Sequence, residues 1–259
     1  MKEKCVNELL YAKLEDKIKF CNSKNRITYT DFFTLPEIVK IEKYLKSFKV
    51  NNYFFFGGYE EADRKMIFFY PDKLGYEMAF TNIGNIIEVI RIILPNFQKG
   101  LFEHKDYLSA IMKLGIVREK FGDIIVYPEG ADFVVKKDNS LYFKENLKEL
   151  TRFKKSNIEI INISDIHEKI IKDEETSIIV NSLRIDNFVA EICNCSRNKA
   201  EEIILQERVM INYELIEKNS KNVNIGDILI IRGFGRFIVK ELVKKTKSNK
   251  LVVVLIHSI

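Results

Sequence analysis

Apolar positions recur along this chain in two rhythms, and the change between them predicts its layout. In the first fifty residues the rhythm is helical. Ile38, Ile41 and Leu45 follow one another at three- to four-residue spacing, as one buried helix face requires. Thr34-Leu35-Pro36-Glu37 precedes them, joining an N-cap hydroxyl to a glutamate three positions on, which marks a helix start. Lys40, Glu42, Lys43 and Lys46 fall between the apolar positions and read as a solvated outer face.

From Tyr53 the runs become short, aromatic and β-branched: Tyr53–Phe56, Met66–Tyr70, Ile90–Leu94, Ile124–Tyr127 and Phe133–Val135. Strands explain these better than helices do. Helical patterns lie between them, around Asp106 to Leu114 and Leu141 to Leu150. Alternating elements of this kind predict an α+β chain with a central ferredoxin-like, RNA-recognition-motif-like (RRM-like) α/β sandwich. The aromatic runs read mostly as core; the alternative is that one or two of the rings stack bases on an open sheet face, which the sequence does not single out.

Asp173-Glu174-Glu175-Thr176 is acidic and polar, and the pattern starts afresh at Ile178, so a domain boundary is expected within several residues of it. Beyond it, Ile185, Phe188, Val189 and Ile192 make one helical stripe, and Ser196 can cap a second helix with Ala200, Ile203 and Ile204 inward. Strands follow at Val209–Asn212, Ile228–Arg232, Phe237–Lys240 and Leu251–Ile256. The expected layout is three small domains: a mixed, largely helical one over 1–75, the RRM-like one over 76–172, and a C-terminal one over 180–259.

Composition narrows the function. At 259 residues, 46% apolar and 31% charged, the chain can bury real cores and is not disordered as a whole. No apolar leader and no run long enough to span a membrane is visible. Four scattered cysteines, Cys5, Cys21, Cys193 and Cys195, suggest no disulfide framework, so a reducing cytoplasm is expected. The net charge is only +5, but residues 180–259 hold 13 Lys+Arg against 9 Asp+Glu, and residues 1–179 hold 29 against 28. That asymmetry points the C-terminal domain at a phosphate backbone. The second helix would start with Arg197 and Lys199 beside free backbone N–H groups, where an anion is favoured.

The run Ser182-Leu183-Arg184-Ile185-Asp186-Asn187-Phe188-Val189, then Ser196-Arg197-Asn198-Lys199-Ala200, Val209–Asn212 and Ile225-Gly226-Asp227-Ile228, resembles the alpha-L RNA-binding domain typified by small-subunit ribosomal protein S-four. The resemblance implies RNA contacts for Arg184, Arg197, Lys199 and Arg208; Ser196, the cap beside them, joins the candidate surface, and Asp186 reads as ordering the fold through a local hydrogen bond rather than touching RNA. Arg232-Gly233-Phe234-Gly235-Arg236-Phe237 reads either as a plain hairpin turn or as a turn offering Arg232, Arg236 and a ring to RNA. Lys240, Lys244 and Lys245 extend the candidate surface.

Over most of its length the chain is also similar to the bacterial YlmH family. The carrying segments are Phe56–Lys65, His104–Ile116, Gly122-Asp123-Ile124 and Arg232–Phe237; the family pattern has Arg at Lys105 and Gly at Ser109. This resemblance implies binding to the large ribosomal subunit carrying an obstructed nascent chain, through rRNA or tRNA, with a role in ribosome-associated quality control and a connection to cell division. A monomer is expected.

His104-Lys105-Asp106 has three readings: a helix start capped by Asp106, a basic tip in which His104 and Lys105 form a second RNA contact, or a proton-transfer pair. Cys193-Asn194-Cys195 lacks a second ligand pair, and neither Gly57-Gly58 nor Gly233-x-Gly235 makes a phosphate loop, so no metal and no cofactor is expected. A non-enzymatic RNA binder is favoured over an RNA-modifying enzyme of pseudouridine synthase or methyltransferase type, and over a protein-binding adaptor. No catalytic aspartate domain or glycine-rich cofactor loop stands out in residues 1–170.

Overall fold

The computed structural model describes residues 2–169, 173–216, 218–245 and 250–258, without the side chains of 2–7, 244 and 245. The chain divides into two compact units, Met1–Lys169 and Ile170–Ile259.

The first unit opens with α1 (Lys2–Lys24), β1 (Thr28–Tyr29), β2 (Phe33–Thr34), α2 (Leu35–Ser47), β3 (Tyr53–Phe56) and β4 (Arg64–Phe69). The α2 start is the expected one: Thr34 is the N-cap and the Glu37 carboxylate accepts its backbone N–H at 2.7 Å. Strand β4 pairs antiparallel with β1, β2 and β3. Its Met66-Ile67-Phe68-Phe69 run is buried on both faces. Ile67 and Phe69 meet Leu14, Cys21, Ile41 and Leu45, while Met66 and Phe68 meet a second core. Covered faces on both sides explain an unbroken apolar run.

After α3 (Tyr76–Thr81) come β5 (Ile87–Ile93), α4 (His104–Met112), β6 (Phe121–Tyr127), β7 (Gly130–Lys136), α5 (Lys137–Glu149) and β8 (Asn157–Ile161). The sheet order β6-β7-β5-β8, antiparallel throughout, is the ferredoxin-like β-α-β-β-α-β arrangement. Ile90, Ile92, Phe133 and Val135 face the helices, among Tyr107, Ile111, Phe143 and Leu147. On the opposite face Ile87, Val89 and Val134 pack with Phe32, Phe54, Met66 and Phe68. Gly122 permits this closeness, since a Cβ there would lie 3.0 Å from the Phe32 ring. The segments expected as separate domains, 1–75 and 76–172, thus share one layer of side chains. The core reading of the aromatic runs holds here: the sheet face opposite the helices is largely covered, and Phe54 and Phe68 stack on each other with centroids 5.1 Å apart.

The second unit contains β9 (Asp173–Val180), α6 (Ile185–Ile192), α7 (Arg197–Leu205), β10 (Val209–Ile211), β11 (Glu214–Leu215), β12 (Ile228–Ile231), β13 (Gly235–Lys245) and β14 (Leu251–Ser258). Its antiparallel sheet runs β11-β10-β12-β13-β14-β9. Ile185, Phe188, Val189, Ala200 and Ile204 from the helices meet Leu229, Ile231, Phe237, Val239, Val253 and Leu255 from the strands. The division between the units, at Lys169/Ile170, lies within several residues of the acidic stretch, which itself forms strand β9, paired with β14 from Val180 to Asp173. No helix among the described residues is long and apolar enough to cross a membrane.

Candidate nucleic-acid interface

The helix pair forms because each helix has one apolar stripe and a defined start. Ser196, extended at φ −66° and ψ 154°, caps α7, its hydroxyl accepting the Lys199 N–H at 3.3 Å. Arg197 opens α7, and Arg184 is the residue before α6.

Both arginines turn to Asp186, whose side chain is fully buried. Arg184 donates from Nε at 3.2 Å and from a terminal nitrogen at 2.7 Å. Arg197 donates from Nε at 3.0 Å and from a terminal nitrogen at 2.8 Å. Burial works against the carboxylate, but the hydrogen bonds from Arg184 and Arg197 outweigh it and hold Asp186 below its ordinary range. Two guanidiniums share one carboxylate, so one positive charge is left over at the helix starts. Their side chains remain 34% and 52% exposed, which keeps donor edges available to a phosphate.

The remaining candidates do not all gather there. Lys199 is exposed and pairs with Glu202 at 2.6 Å. Arg208 lies beyond the end of α7, donating to the Arg232 carbonyl at 2.8 Å, while the Arg232 N–H donates to the Arg208 carbonyl at 2.9 Å. The turn Arg232-Gly233-Phe234 joins β12 to β13, with Arg232 and Phe234 both exposed. Gly235, at φ +116°, brings the strand so close to His257 that a Cβ would stand 2.5 Å from that ring.

Arg236 and Lys240 depart from the expected cluster. Phe237 and Val239 point into the core shared with the helices, so strand alternation sends Arg236 to the opposite face of the sheet. Lys240, at a register shift in β13, is held by Glu175 of β9. The side chains of Lys244 and Lys245 lie outside the described residues. Two further cations, Lys218 and Lys221, are not expected from the sequence pattern; they are exposed on the loop whose Lys221 carbonyl accepts the Ile185 N–H at 2.8 Å. Nothing local in the sequence ties that loop to the start of α6.

The charge asymmetry also changes. Counting the second unit from Ile170 adds Lys172 against Asp173, Glu174 and Glu175, which takes its net from +4 to +2 and leaves +3 in the first unit.

In the first unit, His104 and Lys105 begin α4. The cap is Glu103 rather than Asp106; Asp106 is the third helical residue and accepts the Glu103 N–H at 3.0 Å. Lys105 pairs with Glu103 at 2.8 Å. Desolvation, then the nearby Arg118, lowers the His104 pKa, so the imidazole is neutral near pH 7 and adds no charge to a basic tip. Asp106 is engaged by Arg152 at 3.3 Å, which gives it a structural partner. No group of three or more metal-ligating side chains occurs among the described residues.

Residues 87–165 match the family model "Putative RNA-binding domain in YlmH", and residues 183–229 match that of the S4 domain. The chain is similar to the ribosome-associated protein quality control protein P2 of Bacillus subtilis (strain 168), at 28% identity over 201 residues, which is 76% of this chain and 74% of that protein. Among solved structures it is similar to the cell division protein ylmH from Streptococcus pneumoniae, at 20% identity and a TM-score of 0.47, over 62% of this chain and 94% of that one. The chain thus carries, in order, a region matching the putative RNA-binding domain of YlmH and a C-terminal region matching the S4 domain.

Proposed function

We propose that this chain is a non-catalytic RNA-binding protein that docks on the large ribosomal subunit and serves the quality control of stalled nascent chains. In this reading it is a cytoplasmic monomer whose S4 domain meets folded rRNA and, at the same surface, tRNA. The observation that carries the reading is the shared clamp on Asp186. It fixes Arg184 and Arg197 side by side at two helix starts, half open to solvent and only half neutralised. Fixed forks of this kind suit phosphate oxygens, since little side-chain freedom is lost on binding. The name of the Bacillus subtilis relative adds the ribosome and quality control. Arg208, Arg232, Lys199 and the loop lysines Lys218 and Lys221 are proposed as further phosphate contacts.

Cosedimentation with separated ribosomal subunits, followed by crosslink mapping, tests the reading. The chain is expected to pellet with large subunits at low salt, with crosslinks to rRNA from the S4 domain. Equal recovery with either subunit, or with neither, rejects it.

A further inference from the structure

Helix α1 and strand β1 border a cleft of about 410 Å³ in the first unit, which includes none of the interface residues above. Four lysines line it, Lys13, Lys17, Lys120 and Lys136, against two acids, Asp31 and Glu119. Asp31 is already shared, accepting from Lys120 at 2.8 Å and from Lys136. Lys13 and Lys17 stand on consecutive turns of α1, both exposed, and neither has an ion-pair partner among the described residues. The Lys17 ammonium lies 5.9 Å from the centre of the Tyr29 ring. A second cleft, about 580 Å³, shares Lys13, Lys17 and Tyr29 with the first and adds Asp16 and Phe20, which is 53% exposed. The two clefts adjoin at Lys13, Lys17 and the half-buried Tyr29, whose ring also packs against Phe68, and together they are a trough along α1.

We propose that this trough binds a single-stranded RNA segment, with phosphates on the α1 lysines and a base against Tyr29. A basic groove beside an aromatic ring is the arrangement that holds single strands without reading their sequence. Lysines alone would suit any polyanion, but the ring gives a flat base a surface to cover. The cleft is also within the size range of pockets that enclose small-molecule-sized groups. RRM-like sheets commonly stack bases on the face opposite their helices; here the N-terminal sheet covers Ile87, Val89 and Val134 on that face. That face is therefore closed to a single strand, whereas the trough is open to solvent. No residue of the S4 domain lines the trough.

The test uses the intact chain and a fluorescent oligouridylate of about eight nucleotides, within the usual single-strand site size. Replacing Lys13→Ala together with Lys17→Ala is expected to weaken binding about tenfold and to lower the log–log salt slope by about 1.4, as two single-strand phosphate contacts would. Tyr29→Leu is expected to weaken binding about tenfold and Tyr29→Phe to leave it nearly unchanged, because the ring and not the hydroxyl stacks. Lys199→Ala with Arg208→Ala, on the S4 domain, should leave oligouridylate binding intact while weakening binding to folded rRNA, so the two surfaces fail separately. Undetectable oligouridylate binding, or unchanged affinity and slope in the double lysine variant, overturns the proposal. Unchanged affinity in Tyr29→Leu overturns it too, leaving a general anion surface. The double lysine variant touches only exposed side chains, so its result stands even if Tyr29→Leu folds poorly.

Discussion

Arg197, the first residue of α7, donates two hydrogen bonds to a single oxygen of Asp186, a fully buried carboxylate in the first turn of α6. That pairing ties the second helix of the S4 domain to the first, and it aims a guanidinium at the surface in the same stroke. Arg184 completes it from the residue before α6. Stability and the candidate interface are therefore coupled through one side chain.

Asp186→Ala should destabilise the S4 domain by about 3 kcal/mol, the low end for a broken buried pair because both guanidiniums are partly exposed. Urea unfolding followed by far-UV circular dichroism measures it. A loss within a few tenths of a kcal/mol would show that the clamp contributes little.

The same carboxylate sets a pH dependence. Its folded-state pKa is depressed, so its stabilisation is complete above its unfolded pKa, near 3.9, and is lost as pH falls through the lower folded value. Asp186→Asn should flatten the acid limb of the stability curve below about pH 4. An unchanged acid limb would assign that limb to other carboxylates.

In the first unit Asp132 plays a comparable part. It is fully buried and accepts from Arg91 at 2.9 and 2.7 Å, from the Tyr127 hydroxyl at 2.8 Å and from the His167 N–H at 3.0 Å. Asp132→Ala removes the one carboxylate among these partners and should cost about 3–5 kcal/mol. Thermal melting of the intact chain should show the first unit losing stability and the second keeping its own.

Gly235→Ala should destabilise the S4 domain by about 1–3 kcal/mol, since an alanine would combine a left-handed backbone with a collision against His257. His257 is stacked on Phe237, centroids 4.3 Å apart, so it cannot move aside freely. A melting temperature equal to the parent's would contradict the packing described.

Strand β9 also has a measurable role. A fragment beginning at residue 181 exposes the backbone edge of β14 that β9 covers, whereas one beginning at 170 does not. The shorter fragment should associate more, because an open strand edge is a template for pairing. Light scattering of the two at equal concentration would show it, and identical scattering would count against the edge role.

The reasons some features were legible in the sequence and others were not are physical. The α2 start, the stripes of α6 and α7, the Ser196 cap and the central strands all write their structure locally, through spacing and capping chemistry. Strand β9 does not: most of its residues are exposed, and its pairing rests on backbone bonds that leave no hydrophobic rhythm. With β9 in the second unit, the charge contrast that favoured the C-terminal part shrinks away. The cover over the RRM-like face was illegible because strand runs such as Met66–Phe69 look alike whether one face or both are buried. Arg236 reads as part of a basic turn, yet its position one residue before Phe237 puts it on the far side of the sheet.

The most direct test of the central claim is filter binding of the intact chain to large-subunit rRNA over a range of salt. Affinity should fall steeply, and Lys199→Ala with Arg208→Ala should reduce the log–log slope by about 2, one for each phosphate no longer engaged. Binding that is flat with salt, or a slope the double variant leaves unchanged, would contradict an interface built from these side chains.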